Sequence, residues 1–280
     1  MSQTATPELQ QWIRAQTEAG QPRAALQASM EAAGWLAPVA ARALDETLGA
    51  QAGESLRAEG DTPGEPGPDL SSSPLVIDAG DRRVHVLARL EQPRIVVFGD
   101  LLDAAECAAL IEAARPRMAR SLTVATLTGG EEVNDDRTSS GMFFARAENE
   151  VVRRIEARIA RLLRWPVENG EGLQVLRYGV GAEYKPHYDY FDPHEPGTPR
   201  ILARGGQRVA TVVIYLNEPE QGGGTTFPDI GLEVAPRRGQ AVFFSYPRPD
   251  PSSRTLHGGA PVIAGEKWIA TKWLRVREFN

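Results

Sequence analysis

From residue 75 to the C-terminus the sequence is a succession of short β-branched and aromatic runs broken by turn residues, and this texture constrains the fold more than any other feature. LVIDAG, RRVHVLARL and RIVVFGD open the series; LQVLRYG, EYKPHYDYF, RVATVVIYLN, GLEVAP, QAVFFSY and KWIATKWLRVREF close it. Two helical patterns interrupt it. One runs from Asp103 to Arg115, with Asp103 as N-cap and Glu106 as its capping-box partner. The other runs from Ala147 to Arg164, with Val151, Val152, Ile155, Ile159, Leu162 and Leu163 as its apolar stripe. Many short strands after two helices predict a mainly β fold with flanking helices: a double-stranded β-helix, the jelly-roll barrel, with helices on one outer face.

The first 74 residues differ. Residues 1–50 carry short helical patterns (Leu9, Trp12, Ile13; Ala25, Leu26, Met30; Val39 to Leu48) and are expected to form a small helical appendage, for packing or for recruiting a protein partner through residues 7–50. Residues 51–74 are rich in Gly, Pro, Ser and acids and read as a flexible linker, leaving 75–280 as the catalytic-size domain. Residues 1–74 hold four Arg and ten acids, whereas the remainder is balanced at 27 of each sign. No basic stripe suits nucleic acid, and no apolar run is long enough for a membrane span. The start lacks a secretion signal, so a cytoplasmic location is expected. The single cysteine, Cys107, excludes a Cys-rich metal site and reads as a buried hydrophobe.

Chemistry concentrates in the second half. His187 and Asp189 lie two apart in a strand pattern, so both point to one face. His257, in SSRTLHGGAPV, precedes a final strand pair that can return it to the same place. Two imidazoles and one carboxylate on one face of a metal leave open positions, as in non-haem iron(II) oxygenases; zinc hydrolysis is the chemical rival. Lys267 favours iron, because an ammonium among apolar residues needs an anionic partner, and the far carboxylate of a chelating 2-oxoglutarate supplies one. The hydroxyls of Tyr178 and Thr225 are placed to assist. A hydrolase also needs a general base, for which Glu183 is the nearby acid, but that reading leaves Lys267 unexplained.

The runs LQVLRYGVGAEYKPHYDYF, RVATVVIYLNEPEQGGGTTFP, GQAVFFSY and TLHGGAPVIAGEKWIATKWLR, with RIVVFGDLLDAAECAALIEAA and DDRTSSGMFF upstream, resemble the prolyl 4-hydroxylase branch of the 2-oxoglutarate and Fe(II)-dependent dioxygenases over roughly residues 93–278. The resemblance implies that His187, Asp189 and His257 are the iron ligands, that Lys267 binds the co-substrate carboxylate, and that Tyr178 and Thr225 lie near it. It further implies that Tyr184 and Arg208 meet a peptide substrate and that Trp273 stands beside the active site. Dioxygen is the second co-substrate and L-ascorbate the reductant that rescues oxidised iron. The implied activity is peptidyl-prolyl 4-hydroxylation of a proline-containing polypeptide. Hydroxylation of a free amino acid or other small molecule, and a non-catalytic metal-binding interaction module, are the alternatives.

Two long connections, residues 121–140 and 190–206, are expected to select substrate, with Gly129 and Gly130 giving the first hinge-like freedom. His194 reads as a solvated loop residue and His85 as an outward-facing strand residue.

Overall fold

The structure is a computed structural model in which residues 6–18, 21, 23–36, 39–40, 43–44, 47, 65–120, 123–124, 131–132 and 137–280 are described. The chain divides into two compact units, Met1–Gly64 and Glu65–Asn280. In the first, helices Pro7–Glu18 and Arg23–Ala32 bury Ile13, Leu26 and Met30 against Ala40, Ala43 and Leu44, which lie in further helical residues.

The second unit begins ten residues before the strand texture does. Residues 65–74, assigned by composition to a linker, belong to this unit, and Pro66, Gly67 and Pro68 are buried. The Gly67 N–H donates to the Leu163 carbonyl at 2.8 Å, and Arg94 Nη2 donates to the Pro68 carbonyl at 3.2 Å. The rest of the expected linker, residues 51–64, lies outside the described residues.

A nine-stranded antiparallel sheet forms the frame. Its order is Val76–Asp78, Arg83–Leu90, Arg94–Gly99, Ala241–Ser245, Arg208–Tyr215, Lys267–Arg275, Leu173–Tyr178, Ser140–Phe144 and Ala119–Arg120. A four-stranded sheet, in the order Leu232–Val234, Thr225–Phe227, His257–Gly259 and Tyr184–His187, shares a core with it. These two sheets are the double-sheet barrel expected from the strand spacing.

Strand alternation sorts the side chains between two cores. Along Arg208–Tyr215, Ala210, Val212 and Ile214 join the helix-side core, whereas Val213 and Tyr215 join the core between the sheets. Lys267–Arg275 is buried at all nine positions because layers cover both of its faces.

The helix-side core rests on helices Ala104–Ala114 and Glu150–Leu163. The first starts where its capping box predicts: the Asp103 carboxylate accepts the Glu106 N–H, and the Glu106 side chain accepts the Asp103 N–H. A cap of this kind is worth about 1 kcal/mol. The second helix is capped by the Asn149 side chain and ends at Arg164 in the left-handed conformation, φ 52°. Cys107 is fully buried in this core, and burial pushes its thiol up to about 11. No helix among the described residues is long and apolar enough to cross a membrane.

Candidate metal and co-substrate site

Pairing of the short strands Tyr184–His187 and His257–Gly259 sets His257 directly opposite His187, and the chain bend after His187 brings Asp189 to the same place. One potential ligand atom from each of the three residues lies within 4.8 Å of the other two. His187 Nε2 is 3.6 Å from Asp189 Oδ1, and His257 Nε2 is 3.4 Å from Asp189 Oδ2. These separations exceed good hydrogen bonds and approach the ~3 Å between neighbouring ligands of a metal bound at about 2.1 Å.

The imidazoles are oriented for this. His187 Nδ1 is 2.9 Å from the Lys185 carbonyl and His257 Nδ1 is 2.9 Å from the Thr255 carbonyl. A carbonyl can only accept, so each Nδ1 carries a proton, and it is Nε2, the nitrogen whose lone pair the neutral ring offers to a metal, that faces the centre. Burial, reinforced by the neighbouring His257, pushes the His187 imidazole below its ordinary value and favours the neutral, ligating form. Burial pushes the Asp189 carboxyl up, but the His257 and His187 imidazoles outweigh it and hold the group well below the usual carboxylate range. Two imidazoles and one ionised carboxylate are a donor set that fits iron(II).

A cleft opens beside this trio between the sheets. Lys267, Ile269, Thr271 and Trp273 line it, as alternate residues of one strand must if they share a face. Lys267 is 2% exposed, yet among the described residues its ammonium makes neither a hydrogen bond nor an ion pair. Its Nζ lies 5.3 Å from the centroid of the Tyr178 ring, the residue paired with it across the strands. Burial pushes the amine down to about 8, with only Glu233 pulling the other way. A buried cation facing a cleft without a counter-ion is a seat for a carboxylate. Thr225 lines the same cleft and accepts a 2.8 Å hydrogen bond from the Tyr215 hydroxyl.

The remaining sequence-derived residues separate. Tyr184 lines the cleft, its ring stacked on His187 at 3.7 Å and beneath the Arg137 guanidinium at 4.9 Å. Burial pushes its hydroxyl up to about 12. Simple alternation would turn Tyr184 away from His187, three residues on, but the register shift between His257 and Gly259 brings it alongside. Glu183 does not line the cleft; its backbone instead bonds Thr138 in both directions. The hydrolytic alternative therefore has no base at this position.

Trp273 is a wall of the cleft. Arg208 lies behind it, with its guanidinium 4.0 Å from the Trp273 ring and held at two points by the Glu171 carboxylate at 2.6 and 3.0 Å. The same carboxylate accepts from Arg275 Nε at 2.6 Å. His85 lies 2.9 Å from Asp100 with both side chains exposed, and neither it nor His194 lines the cleft.

Of the two loops, 190–206 is more ordered than a Pro-rich sequence suggests. It contains helix Thr198–Leu202, and the Gln207 side chain clamps both backbone groups of Phe191. Within 121–140, Thr123–Val124 pairs with Glu131–Glu132; the Gly129–Gly130 hinge lies outside the described residues.

Sequence reasoning missed Arg137, which lines the cleft and donates to Gln174 at 2.8 Å. It also missed Thr211, whose hydroxyl bonds Asp189. The signal for Thr211 was present: a polar residue in RVATVVIYLN on the phase of Val213 and Tyr215.

Comparison with known proteins agrees with this geometry. Residues 173–275 match the 2OG-Fe(II) oxygenase superfamily. Prolyl 4-hydroxylase 5 of Arabidopsis thaliana is 44% identical over 222 residues, 72% of this chain and 74% of that protein. Prolyl 4-hydroxylase 1 of the same plant is 44% identical over 200 residues, 65% of this chain and 69% of the relative. Among solved structures, the viral collagen prolyl hydroxylase from Paramecium Bursaria Chlorella virus-1, in its 2OG complex, is 30% identical with a TM-score of 0.51, covering 65% of this chain and 95% of that one. The chain belongs to the prolyl 4-hydroxylase family of the 2OG-Fe(II) oxygenases, and it is a 2-oxoglutarate-dependent dioxygenase.

Proposed function

We propose that the protein hydroxylates C4 of proline within a peptide or protein substrate. The observation that carries this reading is the juxtaposition of the His187, Asp189 and His257 trio with the buried ammonium of Lys267, unpartnered among the described residues, in one cleft. Ferrous iron chelated by 2-oxoglutarate supplies, with dioxygen, the oxidising power that turns a C–H bond into C–OH as the oxo-acid is decarboxylated to succinate.

His187 Nε2, His257 Nε2 and the Asp189 carboxylate hold the metal. Lys267 Nζ takes the distal carboxylate of the co-substrate, with the Tyr178 and Thr225 hydroxyls beside it. The barrel walls, Leu176, Val213 and Ile269, keep water from the centre. Tyr184 and Trp273 form the sides of the cleft between which the proline ring sits, and Arg208 braces Trp273 from behind. The similarity to a viral collagen prolyl hydroxylase favours a polypeptide over a free amino acid, and L-ascorbate serves as the reductant that keeps the metal ferrous.

The test is a turnover assay with iron(II), 2-oxoglutarate, oxygen and ascorbate. A proline-rich peptide should gain the mass of one oxygen at proline, with one succinate released per hydroxyl. Turnover of free proline without turnover of any peptide would transfer the reading to small-molecule hydroxylation. Omitting ascorbate should shorten the progress curve without changing its initial slope.

A further inference from the structure

The metal-site reading assigns the Asp189 carboxylate a role and leaves open what sets its orientation. Its terminal torsion is soft and roughly two-fold, so a carboxylate held only at its Cβ can present either oxygen, or both. Thr211 lies on the central strand Arg208–Tyr215, paired with Trp273 on one side and Phe244 on the other. It is completely buried. Its Oγ1 is 2.7 Å from Asp189 Oδ2 and 2.8 Å from the Tyr246 hydroxyl oxygen. Tyr246 is itself 1% exposed and makes no other hydrogen bond through its hydroxyl among the described residues.

The direction of these bonds follows from counting protons. An ionised carboxylate accepts only, so the single Thr211 proton goes to Oδ2. Thr211 Oγ1 is then left as an acceptor, and the Tyr246 O–H must donate to it. Such hydrogen bonds to a charged acceptor are stronger than neutral ones, and each donor in a chain polarises the next.

We propose that Tyr246 and Thr211 form a hydroxyl relay that fixes the rotation of the Asp189 carboxylate, making both of them positioning residues of the metal centre. The proposal rests on the reading of His187, Asp189 and His257 as ligands. Its physical content is a coordination count. Two imidazoles and one carboxylate oxygen leave three of six positions around the metal, enough for a two-point oxo-acid and dioxygen. A carboxylate free to turn and bind through both oxygens leaves two, which is one too few. Engaging Oδ2 with the Thr211 hydroxyl holds the count at three.

The test compares Thr211→Val, Thr211→Ser and Tyr246→Phe with the unaltered full chain. Each is titrated with iron(II) under anaerobic conditions, and with cobalt(II) as a probe whose visible absorption reports coordination number. Thermal unfolding of the metal-free proteins reports folding. Thr211→Val keeps shape and removes the hydroxyl; it should bind iron about 10- to 100-fold more weakly, the usual consequence of losing a group that orients a ligand, and shift the cobalt spectrum. Thr211→Ser restores the hydroxyl and should restore both readouts. Tyr246→Phe should show a smaller loss in the same direction, and it carries the test if the valine variant does not fold.

Equal affinity and an identical cobalt spectrum in the folded valine variant overturn the proposal, as does a serine variant that remains as weak as valine. An unchanged Tyr246→Phe removes the tyrosine from the relay. Failure of the unaltered protein to bind either metal overturns the site reading instead, so the two failures are distinguishable.

Discussion

Two lysines on one strand, five residues apart, meet opposite fates. Lys267 and Lys272 both lie on Lys267–Arg275, and each is 2% exposed. The odd spacing sends them to opposite faces of the sheet. On the helix side, Lys272 donates to the Glu156 carboxylate and to the Glu171 carbonyl. Between the sheets, the Lys267 ammonium makes no hydrogen bond or ion pair among the described residues and lies 5.3 Å from the centroid of the Tyr178 ring. Burial lowers both amines, but Glu156 counteracts it for Lys272, whereas for Lys267 the opposing pull of Glu233 leaves the value at about 8. A buried charge that the fold satisfies is architecture; one that the fold leaves unsatisfied is a site awaiting an ion of the other sign.

The most severe test of that contrast is Lys267→Met. Removing one partner of a buried pair costs about 3–5 kcal/mol, so 2-oxoglutarate affinity should fall by about two to four orders of magnitude, measured by calorimetry on the iron-loaded protein under anaerobic conditions. The metal-free variant should at the same time unfold at a higher temperature than the original. The folded amine, at about 8, lies below its usual value of 10.5, so below pH 8 the folded state holds a charge that burial penalises. That penalty is relieved as pH rises from about 8 to 10.5, where the unfolded chain binds the extra proton. Its size is on the order of 3 kcal/mol. A variant that loses both binding and stability would make Lys267 a structural lysine like Lys272 and erase the contrast.

Lys272→Met should do the reverse. It strands Glu156 in the core, so stability falls by about 3–5 kcal/mol, read from denaturant unfolding at neutral pH. The 2-oxoglutarate dissociation constant of the molecules that remain folded should not change. Replacing Glu156 as well, by Met, should recover much of the loss, because two apolar side chains leave no stranded charge.

A gentler probe leaves the sequence alone. Above pH about 8 the free Lys267 amine sheds its proton, so 2-oxoglutarate affinity should decline toward tenfold per pH unit. The Lys267→Met variant, measured across the same range, should show a flat profile. A sloping profile in that variant would assign the titration to another group.

Much of this site was legible before any coordinates. His187 and Asp189 are readable as a pair from their two-residue spacing, although the strand ends at His187 and a bend, not strand alternation, carries Asp189 to the site; Lys267 is readable because a cation in EKWIATKW contradicts its apolar surroundings. The capping box at Asp103 and Glu106 is a local code, and it was realised as written. What escaped was set by pairing across distance. Thr211 meets Tyr246 because Arg208–Tyr215 and Ala241–Ser245 are neighbours, an adjacency created 35 residues apart. Tyr184 reaches His187 through a register shift that no alternation rule contains. Arg208 is held by Glu171, a residue that carries no motif. The inner end of the apparent linker is buried because single backbone and arginine hydrogen bonds fasten it, which composition does not record.

The smallest effect expected concerns a second comparison, between buried and exposed histidines. His85 Nδ1 is 2.9 Å from an Asp100 carboxylate oxygen, a shorter approach than either imidazole makes to Asp189. Distance alone would rank it first. Its side chains, however, are 49% and 70% exposed, so water and salt screen the attraction, and holding two mobile side chains together opposes what remains. His85→Ala should therefore change stability by no more than about 0.5–1 kcal/mol and leave iron and 2-oxoglutarate affinities where they were. A loss several times larger in thermal unfolding at neutral pH would mean that proximity, rather than burial, governs which charges matter in this barrel, and the distinction drawn between Lys267 and Lys272 would have to be rebuilt on that footing.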